Sequence, residues 1–148
     1  MTERLLNEDI IRQVTELFQQ MQEPVEVLYF SRKDDCDYCD DTRQLLVELA
    51  ETSDKLALST YDLETDAALA QQYRVDKAPG IVIAGRDGDQ ILDFGIRYSG
   101  IPAGHEFSSL INTMLLVSGR DSGLEPQTRQ YLSGLKKPVH LQVFVTPT

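Results

Sequence analysis

Segments with helical and with extended periodicity alternate along this chain, and their order is the feature that most limits how it can fold. Residues 7–22 carry apolar side chains at helical spacing, with Asn7 as the N-cap, and Pro24 stops that helix. Residues 25–30 form a short β-branched and aromatic run bounded by polar residues, which predicts a strand. The chain therefore opens with an amphipathic helix followed by a strand.

The same alternation continues through most of the sequence. The next predicted elements are a helix over 40–52, a strand over 55–63, a helix over 66–75, strands at 81–84 and 90–94, and a helix over 102–118. Asp87-Gly88 is a turn signal between the last two strands and predicts a hairpin. Strand–helix–strand units favour parallel pairing, whereas a hairpin adds an antiparallel pair. The sequence therefore predicts an α/β fold with a central mixed β-sheet flanked by helices, plus an extra N-terminal helix.

Charge narrows the range of partners. The 148 residues have a formal net charge of -10, which disfavours nucleic acid and anionic membrane surfaces because both would repel the chain. No apolar run approaches the roughly 20 residues that a membrane span needs, and the N-terminus is charged from Glu3 onward. We expect a cytoplasmic protein whose partners are proteins or small molecules, with no nucleic acid and no membrane.

Cys36 and Cys39 are the only two cysteines, and they follow the first predicted strand directly. The helical pattern after them places Cys36 at or just before a helix N-terminus and Cys39 in its first turn. In a reducing compartment a lone Cys-x-x-Cys pair is more typical of catalysis or metal binding than of a structural disulfide. A helix N-terminus also stabilises the thiolate that disulfide exchange requires.

Two other interpretations of the cysteines use the histidines. A zinc site needs about four ligands, and His105 and His140 would have to join Cys36 and Cys39 in a spacing that fits no compact zinc motif. A catalytic pair of Cys36 with His105 is a second alternative, although Cys-x-x-Cys activation needs no histidine and His105 fits a helix start. We expect no metal, and no cofactor, because the electrons of a dithiol reside on sulfur.

Three stretches carry a family resemblance: Cys36-Asp37-Tyr38-Cys39 at the strand-to-helix junction, Ala78-Pro79 before the hairpin, and residues 95–107 after it. Together they resemble the N-terminal thioredoxin-like unit of the tandem glutaredoxin-like protein disulfide oxidoreductases of thermophilic prokaryotes. The resemblance implies a thioredoxin-like fold and a thiol-disulfide oxidoreductase that acts on protein disulfides. Cys36 would then be the exposed nucleophile, and Cys39 would resolve the mixed disulfide.

The resemblance also implies a substrate site and partners. Pro79 is expected to be a cis proline facing the disulfide, and the backbone of Ala78 is expected to pair with an extended substrate strand. Tyr38 would shape the active-site surface, although packing of its ring on the solvent side is an equal alternative. The expected partners are protein disulfide or thiol substrates and a flavoprotein reductase of the thioredoxin reductase type.

The end of the chain resembles its beginning. Residues 137–144 repeat the pattern of residues 23–30, with a helical segment before each. We therefore expect a thioredoxin-like domain over residues 1–120, followed over 121–148 by a linker helix and the first strand of a truncated second unit. Two functional alternatives fit such a duplication: a redox relay domain like that of the alkyl hydroperoxide reductase flavoprotein, or a non-catalytic substrate-docking or structural unit.

Aspartates crowd the cysteine pair at positions 34, 35, 37, 40 and 41. Their charge should oppose the helix dipole and leave Cys36 only modestly acidic, so we expect a reducing centre nearer about -270 mV than about -120 mV. The same charges should disfavour acidic substrates, although acidic residues at a helix start also stabilise the helix itself. The strand before Cys36 has Tyr29 and Phe30 where thioredoxins bury a proton-relaying acid, so proton handling must differ here.

Overall fold

The computed structural model describes residues 3–146; residues 147 and 148 of the predicted second unit lie outside this range. The helices are α1 (Glu8–Phe18), α2 (Cys39–Ala50), α3 (Ala67–Gln72), α4 (His105–Ser118) and α5 (Pro126–Ser133). The strands are β1 (Val25–Ser31), β2 (Leu56–Asp62), β3 (Gly80–Asp87), β4 (Gln90–Leu92) and β5 (Arg97–Ser99). The predicted α/β class is confirmed, and so is the predicted element order through α4, apart from one additional strand, β5.

The five strands form one mixed sheet. Its order is β2-β1-β3-β4, with β1 parallel to β2 and antiparallel to β3. The outer edge of β3 carries two strands in succession, because β5 pairs with its first three residues and β4 with its last three. The β3–β4 hairpin was predicted, whereas β5 was not.

The sheet separates two apolar cores, because alternate residues of a strand point to opposite faces. Val27 and Tyr29 of β1 and Ile83 of β3 pack on the face that α1, α2 and α4 cover. Leu28 and Phe30 pack on the other face, against α3. Both faces of the central strands are therefore buried, and β1 is buried along its whole length, including its polar residues Glu26 and Ser31.

The N-terminal helix is fixed at both of its ends. Asn7 caps α1 as predicted, since its side chain accepts a hydrogen bond from the Ile10 N–H at 2.9 Å. Before the cap, the Glu48 carboxylate of α2 accepts hydrogen bonds from the backbone N–H groups of Leu5 and Leu6, each at 2.9 Å. The helix ends at Phe18, four residues earlier than predicted, because Met21 turns into the core.

The chain beyond α4 packs differently. All residues of α5 are exposed, and so are residues 135–146, where the structure assigns no regular secondary structure. Residues 139–145 pair with no other described strand, and a strand is defined by such pairing. The assignment of 121–148 to a second unit stays a prediction. Within residues 3–146, no helix has the length and apolar character of a membrane span.

Candidate active site

Cys36 and Cys39 form a disulfide at the start of α2, with their Cα atoms 5.5 Å apart. Cys39 is the first residue of the helix, and Cys36 lies in the preceding loop. This is the predicted placement, and it follows from the chain leaving the buried strand β1 and turning at once into a helix. The redox interpretation of the pair is thus supported by a bond between the two sulfurs.

The two bonded cysteines differ in their access to solvent. Cys39 is 3% exposed and is part of the buried interior, whereas Cys36 is only partly covered. A partner can therefore approach the sulfur of Cys36, while that of Cys39 is shielded. This asymmetry matches a nucleophile and a resolving thiol, the roles that the resemblance implied.

The N-terminus of α2 has no side-chain cap. Tyr38 occupies the N-cap position, and its side chain accepts no hydrogen bond there; it is 57% exposed. Its carbonyl instead accepts hydrogen bonds from the Thr42 N–H at 2.9 Å and the Thr42 hydroxyl at 2.6 Å. Without a capping side chain, the positive end of the helix dipole faces the disulfide and favours a thiolate there.

Tyr29 connects the central sheet to the active-site helix. Its ring is fully buried, and its hydroxyl donates a hydrogen bond to the Cys39 carbonyl at 2.5 Å. Burial raises the pKa of Tyr29 to about 12, with a smaller opposing effect from Arg43. The phenol therefore stays protonated at physiological pH and acts as a hydrogen-bond donor. The sequence predicted a difference in proton handling here, but not this contact.

The Ala78–Pro79 peptide bond is cis, as the resemblance implied. Pro79 immediately precedes β3, and Gly80 pairs with Phe30 near the end of β1. Because β1 leads into the cysteine loop, the sheet brings Pro79 to the same end as the disulfide. The Pro79 carbonyl accepts a hydrogen bond from Gly100 N–H at 2.8 Å. Ala78 is partly exposed and makes no backbone hydrogen bond within the described residues.

The aspartates around the pair are all exposed: Asp34, Asp35, Asp37, Asp40 and Asp41. Asp40 makes an ion pair with Arg43 at 3.6 Å, one turn along α2, and exposed pairs of this kind contribute little to stability. Asp40 and Asp41 lie in the first turn, where their charge stabilises the helix.

Neither histidine belongs to the helix that carries the cysteines. His105 is the first residue of α4, as expected for a helix-start residue, and His140 lies in the exposed C-terminal segment. Among residues 3–146, no group of three or more His, Cys, Asp and Glu side chains is placed to hold a metal ion.

Comparisons with known proteins show which proteins this chain resembles. No family model matches the chain. A solved protein disulfide oxidoreductase from Aeropyrum pernix k1 is 30% identical, with a TM-score of 0.77 over 92% of this chain and 57% of that one. A solved N-terminal domain of the alkyl hydroperoxide reductase AhpF from Enterococcus faecalis is 27% identical, with a TM-score of 0.77 over 89% of this chain and 62% of that one.

A relative of known sequence extends the likeness along the whole chain. The F subunit of alkyl hydroperoxide reductase in Staphylococcus epidermidis is 30% identical over 144 residues, which is 97% of this chain and 25% of the relative. The chain thus spans about a quarter of the length of the curated relatives that it matches.

Proposed function

Because this chain is a thioredoxin-like unit of the oxidoreductase type, homologous to parts of longer redox proteins, we propose that it exchanges disulfides with proteins through Cys36 and Cys39. The observation that supports this most directly is the unequal exposure of the two bonded cysteines, with Cys39 buried and Cys36 accessible. An outside sulfur can react at only one of them, which fixes the order of events.

The exchange has two steps. The Cys36 thiolate attacks one sulfur of a substrate disulfide, forming a mixed disulfide and releasing the first substrate cysteine as a thiolate that takes up a proton. The Cys39 thiol then loses its proton and attacks the Cys36 sulfur. The second substrate thiol leaves, and the Cys36–Cys39 disulfide forms. Two electrons pass from the dithiol to the substrate, and the oxidised product is the form that the structure describes.

We propose that the substrate chain docks beside Pro79. Ala78 lies at the disulfide end of the sheet and has no backbone hydrogen-bond partner in the described part of the chain. An extended peptide can therefore pair with it as an added strand. Tyr38, exposed between the two cysteines, would contact the same peptide.

Reduction of the disulfide needs an electron donor. We propose a flavoprotein reductase of the thioredoxin reductase type, either as a partner or as a linked domain, in a reducing and cytoplasmic compartment. The similarity to the F subunit of alkyl hydroperoxide reductase over 97% of this chain favours a second candidate function, that of a redox relay. In that relay, Cys36 and Cys39 pass electrons between two fixed partners.

Insulin-disulfide reduction with dithiothreitol tests the proposal, using wild type beside Cys36→Ser and Cys39→Ser. We expect wild type to accelerate the reaction, Cys36→Ser to be inactive, and Cys39→Ser to accumulate a mixed disulfide. If wild type is no faster than both variants, disulfide exchange with proteins in general is refuted. The non-catalytic substrate-docking unit is then the better interpretation. A relay would show itself differently, by rapid reduction of its disulfide by the flavoprotein combined with slow reduction of insulin.

A further inference from the structure

Two arginines stand apart from the others in this protein. Within residues 3–146, Arg32 and Arg74 make neither an ion pair nor a side-chain hydrogen bond. Every other arginine has an ionic or hydrogen-bonded partner for its guanidinium: Arg4, Arg12, Arg43, Arg86, Arg97, Arg120 and Arg129. Arginine is the residue best suited to hold a planar anion through two parallel hydrogen bonds. Two such groups on one surface can hold an anion together.

Both arginines line one hollow of about 500 Å³. Arg32 comes from the loop that leads from β1 to Cys36, and Arg74 follows the end of α3. Val75 and Asp76 form part of the wall just before Ala78 and Pro79. The rest of the wall is formed by Leu63 and by residues of α3: Ala67, Ala70 and Gln71. The hollow therefore lies beside α3, next to the segments that lead to Cys36 and to Pro79.

The Nε atom of Arg32 is buried, and among the described residues it has no hydrogen-bond partner. Leaving a buried N–H group unpaired is unfavourable, and such groups are rare in folded proteins. The two Nη atoms of Arg32 are not buried in this way and have no hydrogen-bond partner among the described residues, so they can donate to an acceptor bound in the hollow.

Arg74 occupies a position that normally belongs to glycine. Its φ is 56°, in the left-handed region, at the residue that follows Tyr73, the C-cap of α3. The Val75 N–H binds the Ala70 carbonyl at 2.8 Å, and the Arg74 N–H binds the Gln71 carbonyl at 3.1 Å, which together form a Schellman motif. Glycine adopts this conformation without steric cost, so the arginine is held there at the expense of stability.

Nearby carboxylates have other partners. Asp76 pairs with Lys77 at 3.1 Å, and Asp93 pairs with Arg97 at 2.8 Å. Asp62 accepts hydrogen bonds from the backbone N–H groups of Glu64 and Thr65. None of them forms an ion pair with Arg32 or Arg74, although the charge of Arg32 acts weakly on Asp62 and that of Arg74 acts weakly on Asp93. Both guanidinium groups therefore keep free hydrogen-bond donors.

We propose that this hollow binds a carboxylate side chain of the protein whose disulfide the Cys36–Cys39 centre exchanges. The inference rests on the proposed function, because it takes the bound partner to be a protein docked at the same site. It also refines the expectation that acidic substrates are disfavoured. Substrate carboxylates next to the disulfide are repelled by the exposed aspartates, whereas a substrate carboxylate that reaches the hollow is bound by Arg32 and Arg74.

A positional scan tests this on a single disulfide peptide substrate. Each of the four residues on either side of its cysteine is changed in turn to Glu or Gln, and kcat/KM is measured for each peptide. Wild type should prefer Glu over Gln about tenfold at one position, equivalent to ~1.4 kcal/mol, and show no such preference at the others. The double variant Arg32→Gln/Arg74→Gln should lose that preference, measured as the ratio of its kcat/KM on the Glu peptide to that on the matched Gln peptide, in which a general change of Cys36 reactivity cancels.

Two further variants serve as controls. Arg74→Gly should melt at the same or a higher temperature than wild type yet show a weakened Glu preference, which separates binding from folding. Arg129→Gln removes an exposed arginine on α5 and should keep the full preference. A phosphoserine peptide at the preferred position shows whether a phosphate is held better than a carboxylate, an outcome that would overturn the choice of carboxylate.

The outcomes separate this inference from the proposed function. A Glu preference that survives in the double variant, or one that is equal at every position, overturns the anion site while exchange itself stands. If wild type exchanges no peptide, the proposed function fails. A measurement of peptide binding then tests whether the anion site exists. Fluorescence anisotropy of labelled peptides with Ser in place of Cys supports the site if Arg-dependent Glu preference persists, and overturns it if no preference is found.

Discussion

The hydroxyl of Tyr29 and the carbonyl of Cys39 are joined by a hydrogen bond of 2.5 Å that runs from the central strand β1 to the first residue of α2. The Cys39 carbonyl belongs to the helix as well, where it can accept from the next turn. The buried phenol thus adds a second attachment for the residue that carries the resolving sulfur. The position of this sulfur is set by the sheet and not only by its helix.

Replacement of Tyr29 by phenylalanine should lower the free energy of unfolding by about 1 kcal/mol at pH 7, because one buried hydrogen bond is lost. The alkaline range gives a sharper test. The folded pKa of about 12 lies above the ordinary value of 10.0, so this group contributes stability below pH 10 that is lost as pH rises towards 12.

Chemical denaturation at a series of pH values from 8 to 12 measures this effect. Wild type should lose on the order of 2 kcal/mol more than Tyr29→Phe across the upper part of that range. Tyr131→Phe is the matched control, because Tyr131 is 72% exposed and its replacement should leave the profile unchanged. Parallel profiles for wild type and Tyr29→Phe would contradict the assignment.

Glu48 should stabilise the attachment of the N-terminal segment in a pH-dependent way. Burial raises the pKa of this carboxyl, but hydrogen bonds from Gln44 and from the backbone of Leu6 and Leu5 outweigh it and lower the pKa below 4.5. The stability that Glu48 contributes is therefore present above pH 4.5 and is lost as pH falls through the lowered value.

Glu48→Gln places an amide N–H₂ opposite hydrogen-bond donors and should cost about 1–3 kcal/mol at pH 7. The difference from wild type should shrink on acidification to pH 3, as urea titrations at each pH would reveal. Glu51→Gln, on the exposed side of the same helix, should change stability by less than about 0.5 kcal/mol. A pH-independent difference for Glu48→Gln would exclude the proposed linkage.

Removal of the acidic charge between the two cysteines should make the centre more oxidising. Asp37 is exposed and adjacent to Cys36, so Asp37→Asn removes a charge that disfavours the thiolate and thereby stabilises the reduced form. A few tenths of a kcal/mol correspond to a shift of about 10 mV towards positive potential. Equilibration with glutathione buffers measures the potential, with Asp54→Asn as the distant control; a shift to more negative potential would refute the charge argument.

Gly80 should tolerate no side chain. A Cβ atom there would lie 2.5 Å from Cγ1 of Val75 and 2.6 Å from the carbonyl oxygen of Lys77, and the latter is main chain that cannot rotate away. Gly80→Ala should therefore cost about 1–3 kcal/mol in urea denaturation and weaken exchange, because the loop before Pro79 must move. Gly119→Ala, whose nearest neighbour is 3.6 Å from the new Cβ, should be close to neutral; equal losses in both variants would argue against a local clash.

The sequence alone predicted the local features of this fold. Asn7 as the cap of α1, the Asp87-Gly88 hairpin and the placement of Cys39 in the first turn of α2 depend on neighbouring residues, and each is confirmed. Strand β5 escaped prediction because Arg97–Ser99 is too short for a periodic signal and becomes a strand only by pairing with β3. The strand predicted near the end of the chain also depends on pairing. Residues 139–145 have no partner strand among the described residues, so that prediction stays untested.

Contacts that depend on the tertiary fold lay beyond prediction. The hydrogen-bond acceptor of Tyr29 is a main-chain carbonyl. Every residue has one, so no residue type in the sequence indicates which carbonyl will accept. Arg32 and Arg74 are far apart along the chain and meet only because α3 covers the second face of the sheet. The aspartates around Cys36 predicted that acidic substrates are disfavoured, but only the fold showed which positive charges have no ion-pair partner among the described residues.

Strand β3 has neighbours along both edges, and its first six residues are buried. Its amide protons should be among the last in the molecule to exchange with deuterium, through opening of the whole domain, whereas those on the outer edge of β2 should exchange early. Pro79 is attached directly to the start of this strand. The proposed docking site at Ala78 and Pro79 is therefore attached to the part of the molecule that should unfold most rarely. A substrate chain would bind there to a backbone that needs little rearrangement.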